Sequence, residues 1–297
     1  MSYYSVLGLN KEPFSTSPDP EFLYRSSSHI SALRRIEIAV RLRRGLSLLL
    51  GDVGTGKTTL ARALIQNFRE EPDFVFHMVL DPYYETRAQF ISSLCRVLGL
   101  EYTYSEDPEA IERYFFREAV IKGKTVVLLI DEGQKLSPAG IELLRTLLNY
   151  ETNNFKLLQL VIMAQLEFLE AAGRVRNFMD RVSFKYILNP LDEEETRRMI
   201  QYRLGQAGYS RQTRLFTDEA MAEIYQYTKG YPRRITTFCH QALEYLVMYE
   251  RQMVDGGLVR ELIKQELKVL QAHQVLRPCP PRRGNVGSRL PAGPVNG

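Results

Sequence analysis

The sequence is poor in the residues that build disulfide-bonded or zinc-stabilised folds. Its 297 residues include no tryptophan, four histidines and three cysteines. The cysteines, Cys95, Cys239 and Cys279, are odd in number and have no paired spacing, and the histidines lack the spacing of metal ligands. This pattern implies neither a disulfide framework nor a zinc site, and it fits a protein from a reducing cytoplasm.

Long hydrophobic runs are also missing. The longest uncharged apolar run, residues 157–166, is about half the length that a membrane-spanning helix needs. The amino terminus, MSYYSVLGLNKEPF, lacks the basic start and continuous apolar stretch of a signal peptide. We therefore expect a cytoplasmic protein without a membrane span. A net charge of +4 over this length is too small to indicate a nucleic-acid partner by itself.

What the first two thirds of the chain do contain is an alternation of short apolar runs with longer stretches of helical periodicity. Nearly continuous apolar runs separated by helices predict a parallel sheet that is covered on both faces, in an α/β fold. The predicted strands are residues 46–50, 74–80, 126–130, 157–163 and 184–188.

The character of the sequence changes after Pro190, where only helical patterns follow. Asp192 and Thr217 are placed as N-caps of two of these helices. The final stretch is rich in proline, glycine and arginine, which predicts disorder. The expected domains are an amino-terminal segment with the first helix (1–45), an α/β core (46–190), a helical lid (191–275) and a disordered tail (276–297).

The stretch GDVGTGKTT stands at the junction between the first predicted strand and the following helix. Its glycines permit a backbone that directs N–H groups at phosphate oxygens, and the helix presents its positive dipole end. Lys57 is expected to reach the β- and γ-phosphates, and Thr58 is expected to bind Mg²⁺. This P-loop predicts a nucleotide site formed by Gly51, Gly54, Thr55, Gly56, Lys57, Thr58 and Thr59.

A pair of carboxylates follows the strand at residues 126–130. We expect Asp131 to bind Mg²⁺ through water and Glu132 to orient the water that attacks the γ-phosphate. One carboxylate for metal and one for water favour hydrolysis over transfer of the phosphoryl group to a small substrate. The alternative is that both side chains simply end a strand in solvent.

Three further polar residues are candidates for the same site. Gln165 ends the fourth predicted strand, where its amide can hydrogen-bond phosphate and water, or can merely terminate a buried strand. One of Arg174, Arg176 and Arg181 can act as an arginine finger on a neighbouring subunit, or all three can be solvated. Arg233 follows a proline that pre-sets the first turn of a helix, which fixes its position.

This order of motifs resembles the AAA+ ATPases, and two segments narrow the resemblance to the general secretion pathway protein A type. These are YYSVLGLNKEPFSTSPDPEFLYRSSSHISAL at residues 3–33 and LNYETNNFKLLQLVIMAQLEFL at residues 148–169. The resemblance implies that Gln165 is sensor 1, Arg181 the finger and Arg233 sensor 2, with Tyr24 and His29 near the adenine. It also implies that Gly133 and Lys135 replace alanine and asparagine, at positions that look tolerant.

The resemblance implies an ATPase that uses Mg²⁺ and converts ATP and water to ADP and phosphate. It implies a homo-oligomer, ring or filament, in the ATP-bound state, and protein partners in a secretion, pilus or exopolysaccharide export machine, with docking at the inner membrane. The competing hypothesis is a DNA-binding regulator of the transposition or replication-initiation type. That hypothesis depends on arginines near the first helix and in the tail, namely Arg34, Arg35, Arg41, Arg43, Arg44, Arg277, Arg282, Arg283 and Arg289.

Overall fold

A computed structural model describes residues 2–17, 19–100, 108–210 and 214–275. The tail that was predicted to be disordered, residues 276–297, lies outside the described residues. Five parallel strands form one sheet in the order β2-β3-β4-β1-β5. They are β1 (Leu46–Leu50), β2 (Phe74–Val79), β3 (Thr125–Ile130), β4 (Leu158–Ala164) and β5 (Val182–Ile187). The predicted α/β fold with a parallel sheet is confirmed.

The three central strands are buried on both faces, which explains why their sequences are almost wholly apolar. In β1, Leu46, Leu48 and Leu50 point into one hydrophobic cluster while Leu49 points into another on the opposite face. The outer strands β2 and β5 are only partly buried. β5 starts two residues earlier than predicted, and its pairing with β1 shifts register beside Leu46, which accommodates the extra length.

Helices cover both faces of the sheet and then continue as a separate helical layer. The chain begins with a short helix, α1 (Tyr3–Val6). The helices between there and the last strand are α2 (Ser27–Arg41), α3 (Lys57–Asn67), α4 (Arg87–Val97), α5 (Pro108–Phe116), α6 (Pro138–Leu147) and α7 (Phe168–Gly173). The helical region that follows consists of α8 (Glu193–Gln206), α9 (Asp218–Thr228), α10 (Pro232–Met248) and α11 (Gly256–Val275).

The predicted caps form as expected. The Asp192 side chain accepts from the Glu195 N–H at 2.7 Å, and the Thr217 hydroxyl accepts from the Ala220 N–H at 3.1 Å. These bonds satisfy N–H groups that a helix start leaves without an intrahelical acceptor. They fix where the helical region begins relative to the last strand.

The amino-terminal part of the chain divides between two hydrophobic clusters. Leu7, Leu9 and Phe14 are buried with side chains of the helical region. Helix α2, in contrast, packs against the sheet. The predicted grouping of residues 1–45 into one unit remains a prediction, and the packing connects its first part to the helical region and its second part to the sheet.

The junction between sheet and helical region depends on one glycine. Gly230 has φ +73°, and its carbonyl accepts from the Leu191 N–H at 2.9 Å. A Cβ atom added to Gly230 would lie 1.8 Å from the Leu191 carbonyl oxygen, which is a backbone atom and has no freedom to withdraw. Only glycine fits this contact.

We expect Gly230→Ala to lower the free energy of unfolding by more than about 1 kcal/mol, because it combines an unfavourable φ with a backbone clash. A fall in melting temperature of at least about 2 °C should accompany it. Gly205→Ala is the matched control, since an added Cβ in α8 meets nothing within 4 Å. It should raise stability by about 0.5–1 kcal/mol. Equal melting temperatures for the two variants would contradict this account of the junction.

Candidate functional site

The carboxyl ends of the strands open into a cleft between the sheet and the helical region. The loop after β1 and the ends of β3 and β4 contribute Lys57, Glu132 and Gln165 to its walls. The helical region and the amino-terminal segment close the other side. Of the predicted site residues, the cleft is lined by Gly54, Gly56, Lys57, Thr58, Thr59, Glu132, Gln165 and Arg233.

The loop at residues 51–56 needs glycine for conformation and for space. Gly54 and Gly56 have φ values of +83° and +100°, a region that residues with a Cβ rarely adopt. A Cβ on Gly54 would lie 2.9 Å from the Arg233 Cβ, and one on Gly51 would lie 2.7 Å from the Leu188 carbonyl oxygen. The glycines therefore allow the strand end, loop and helical region to approach closely.

Lys57 is the first residue of α3, and its side chain folds back over the loop. The Nζ atom donates to the Gly51 carbonyl at 2.7 Å and to the Asp52 carbonyl at 2.9 Å. Burial lowers the pKa of the Lys57 ammonium, and the nearby carboxylates of Glu132 and Asp131 oppose that shift. A buried cation in a glycine-rich loop at a helix N-terminus is an arrangement suited to a phosphate group.

Thr55 and Thr58 use their hydroxyl groups in different ways. The Thr55 hydroxyl donates to the Asp52 carbonyl at 2.9 Å, so this side chain stabilises the loop from within. The Thr58 hydroxyl donates to Asp131 Oδ2 at 2.6 Å, which joins the start of α3 to the end of β3. A hydroxyl and a carboxylate are hard oxygen donors of the kind that Mg²⁺ prefers, so this pair fits the ion.

Glu132 adopts an unusual backbone conformation. Its φ is +53°, in the left-handed region, and its carbonyl accepts from the Lys135 N–H in a 3-10 turn at Gly133–Lys135. Non-glycine residues in this region carry a conformational strain of order 1–3 kcal/mol and concentrate at functional sites. Here the conformation brings the carboxylate to the wall of the cleft.

Gln134 belongs to the site, and the sequence analysis missed it. Its Nε2 donates to Glu132 Oε2 at 2.6 Å, and its Oε1 accepts from the Gln165 N–H at 3.1 Å. One amide thus connects the carboxylate after β3 to the residue after β4. The only available sequence signal was an amide two residues after the acid pair.

Position 133 is less tolerant than the sequence suggested, and that expectation was wrong. A Cβ on Gly133 would lie 2.5 Å from Cγ2 of Ile162 and 3.2 Å from Cβ of Ala164, both on β4. Ile162 is fully buried, so its methyl group has little room to move. Glycine at this position allows the turn after Glu132 to pack directly on the neighbouring strand.

Arg233 connects the helical region to the loop. It lies in the first turn of α10, and its N–H donates to the Gly54 carbonyl at 3.1 Å. Two residues earlier, the Tyr231 hydroxyl donates to Asp52 Oδ2 at 2.7 Å. The loop therefore contacts the helical region through a backbone bond and a side-chain bond, while the Arg233 side chain lines the cleft.

Tyr24 and His29, which the resemblance placed near the adenine, also line the cleft. His29 is buried beneath the loop, with Nε2 at 3.0 Å from the Thr55 carbonyl and Nδ1 at 2.7 Å from the Ser26 hydroxyl. Burial lowers the pKa of His29, which favours the neutral ring. This geometry shows His29 supporting the loop.

Arg181 is the one predicted catalytic residue that does not line the cleft of its own chain. It ends a 3-10 turn before β5, near the carboxylates of Glu142 and Glu151. Within the described residues, its buried Nε atom has no hydrogen-bond partner.

Two features are absent from the described part of the chain. No cluster of three or more histidine, cysteine, aspartate or glutamate residues there is arranged to hold a metal ion. None of the described helices combines the length and apolar character required to span a membrane.

Comparison with solved structures establishes the fold. The Aeropyrum pernix ORC2 protein, in its ADPNP and ADP complexes, has a TM-score of 0.63 and 17% identity, covering 86% of this chain and 71% of its own. Drosophila ORC bound to DNA has a TM-score of 0.68 and 18% identity, covering 91% and 68%. The Thermotoga maritima RuvB Holliday junction branch migration motor has a TM-score of 0.54 and 16% identity, covering 79% and 68%.

Sequence comparison gives a narrower relationship. The AAA domain family model matches residues 40–171. General secretion pathway protein A of Aeromonas hydrophila is 33% identical over 250 residues, which cover 81% of this chain and 44% of that protein. The chain thus spans less than half the length of this curated relative. With the P-loop, the acid pair and the helical region in place around one cleft, the chain belongs to the AAA+ ATPases of the general secretion pathway protein A type.

Proposed function

We propose that the protein binds ATP with Mg²⁺ in this cleft and hydrolyses it to ADP and phosphate. The observation that carries the proposal is the convergence of Lys57, the Thr58–Asp131 pair and Glu132 at the ends of β1 and β3. These are one buried cation, a set of oxygen ligands and one further carboxylate. A triphosphate, its metal ion and an attacking water require the same three elements.

Each side chain has a distinct part in this proposal. Lys57 and the N-terminus of α3 bind the phosphates, while Thr58 and Asp131 hold Mg²⁺, which neutralises phosphate charge when bound. Glu132 orients the attacking water and accepts its proton. Gln134 positions the Glu132 carboxylate relative to Gln165, whose side chain faces the same cleft.

The contact between α10 and the loop supports a mechanism in which the helical region responds to nucleotide. Arg233 lines the cleft and its backbone is bonded to Gly54. A nucleotide in the cleft therefore touches the sheet and the helical region at once. If ATP and ADP differ in how strongly they favour one position of the helical region over another, hydrolysis would shift that position.

We further propose that the ATP-bound protein forms a homo-oligomer, ring or filament, in which Arg181 reaches the nucleotide of a neighbouring subunit. The position of Arg181 outside its own cleft supports this assignment. The relationship to a general secretion pathway protein supports a role in assembling a secretion, pilus or exopolysaccharide export system. Such a role places the chain in the cytoplasm, docked at the inner membrane through protein partners.

The DNA-binding alternative loses part of its basis in the structure. Arg41 forms two hydrogen bonds to Glu71, at 2.6 and 2.7 Å. Arg43 donates to the Thr125 hydroxyl and lies 4.3 Å from the centre of the Phe155 ring. Two of the five arginines in and just after α2 are therefore engaged within the protein. The similarity to DNA-associated proteins is one of fold.

Lys57→Ala and Glu132→Gln should separate binding from hydrolysis. We expect Lys57→Ala to weaken ATP binding by at least about 100-fold, because it removes charge-assisted bonds to two phosphates. Glu132→Gln should bind ATP with affinity close to wild type and lose about 10²–10⁴-fold in kcat. Titration calorimetry and phosphate release measure these effects, with the exposed Lys264→Ala as control. Normal turnover by Glu132→Gln would remove the water-orienting role.

Gln134→Leu should lower kcat by about 10-fold, because a hydrogen bond to the Glu132 carboxylate is lost, while the Kd for ATP stays within about twofold. Gln134→Glu, which sets two carboxylates against each other, should lower kcat further. Steady-state kinetics with calorimetry on the same preparations test this split. Weaker binding with an unchanged kcat would show that Gln134 supports the loop instead.

Arg181→Ala alone should lose about 10³–10⁵-fold in hydrolysis if it acts as an arginine finger. Mixed with Glu132→Gln, it should regain activity, since some interfaces then combine an intact Glu132 with an intact Arg181. Arg174→Ala should keep the wild-type rate, because Arg174 is exposed and pairs with Glu170. Failure of the mixture to recover, in an assembly whose mass shows oligomers, would count against action between subunits.

A further inference from the structure

The amino-terminal segment, residues 2–17, is bonded to the helical region along most of its length, and we call it the strap. The Asn10 N–H donates to the Ala207 carbonyl at 2.8 Å, and the Tyr3 hydroxyl lies 2.9 Å from Nδ1 of His240. Leu9 and Phe14 are buried in the cluster of the helical region. The strap overlaps the segment at residues 3–33 that narrows the family resemblance. None of the proposed catalytic residues lies in the strap, so they do not explain what the strap does.

Arg203, on α8, holds the end of the strap. Its Nε donates to the Pro13 carbonyl at 2.8 Å, and Nη2 donates to the Ser15 carbonyl at 3.0 Å. Its Nη1 donates to the Thr236 hydroxyl on α10 at 3.0 Å. One planar group thus joins the strap to two helices.

This guanidinium is an unusual choice for a purely structural contact. Arg203 is 8% exposed and, within the described residues, forms no ion pair with a carboxylate. Its charge is held by carbonyl groups and by the rings of Phe22 and Phe14, at 5.5 and 6.0 Å. Burial lowers the pKa of Arg203 to about 10, so the group is charged at neutral pH. The hydrogen bonds and the charges of Asp19 and Glu12 offset only part of the cost of burying this charge, since the pKa of Arg203 stays lowered.

The position of Arg203 suggests a use for this buried group. Arg203, Thr236 and the strap residues Ser15–Ser17 line the same cleft as Lys57 and Arg233. The loop binds the phosphate end of a nucleotide, so the wall made by the strap faces the remaining part. The apolar side chains of Phe22, Leu23, Leu191 and Met199 line the cleft as well, a surface suited to a nucleobase.

We propose that Arg203 is a positioning residue for nucleotide recognition: it fixes Ser15–Ser17 against α8 and α10 so that the strap forms the wall of the cleft that receives the nucleoside. The proposal rests on nucleotide binding in this cleft, as inferred above. It assigns a function to the strap. The affinity for ATP and ADP should then depend on Arg203, while affinity for a phosphate chain without a nucleoside should not.

The test compares Arg203→Met, Arg203→Lys and the control Arg260→Met, which removes only surface ion pairs to Glu219 and Glu223. Calorimetry measures the Kd for ATP, ADP and inorganic tripolyphosphate, and phosphate release gives kcat and KM. We expect Arg203→Met to raise the Kd for ATP and ADP and the KM at least about 10-fold, because the strap loses the hydrogen bonds to Pro13 and Ser15 that preorganise this wall of the cleft. The Kd for tripolyphosphate and kcat at saturation should change less than about threefold. Arg203→Lys should be intermediate, and Arg260→Met should match wild type.

Wild-type affinity for ATP in folded Arg203→Met would overturn the proposal, as would an equal loss of affinity for ATP and tripolyphosphate, which indicates a general structural role. If Arg203→Met does not fold, Thr236→Val removes one of the three acceptors and should raise the Kd for ATP, but not for tripolyphosphate, by a smaller factor. Failure of wild-type protein to bind either compound would instead contradict the proposed function itself.

Discussion

The buried ammonium of Lys57 is the constraint around which the cleft is organised. Its hydrogen bonds go to two carbonyls of its own loop, and the carboxylates of Asp131 and Glu132, which follow β3, oppose the lowering of its pKa. Burial disfavours the charge, so the site gains from any anion that enters. The glycines, which let the loop close over the ammonium, and Asp131, which is bonded to Thr58 beside it, both serve this arrangement. The loop is thus built for a bound phosphate more than for its own stability.

A second constraint is that the cleft has walls from distant parts of the sequence. The loop after β1 touches α10 through the Arg233 N–H and α2 through His29, while the strap reaches the cleft from the amino terminus. Each contact uses backbone atoms, which have fixed directions and little freedom to adjust. A ligand in the cleft therefore meets several elements whose relative positions are already coupled, which is what the proposed response to nucleotide requires.

The sequence was informative where local rules decide the structure. Strand periodicity predicted all five strands, the caps at Asp192 and Thr217 followed from residue type, and the P-loop spacing predicted the cleft residues around Lys57. The sequence was not informative where contacts between residues distant along the chain decide the structure. The bridge made by Gln134 depends on how close β3 and β4 lie, and the intolerance of Gly133 depends on the Ile162 side chain across the sheet. Neither distance is encoded by a local pattern.

The docking of the strap shows why fold and function are difficult to separate in this chain. A segment that precedes the first strand by some thirty residues is buried with helices that follow the last strand. This brings the strap and the helical region together, and residues of the strap, of the strand ends and of the helical region line one cleft. Because the strap is hydrogen-bonded to the helical region, a motion of that region relative to the loop would carry Ser15–Ser17 with it. If nucleotide binds as proposed, opening of the helical region would withdraw Arg233 and the strap from it together, so the free-energy difference between the bound and released states would include both contacts.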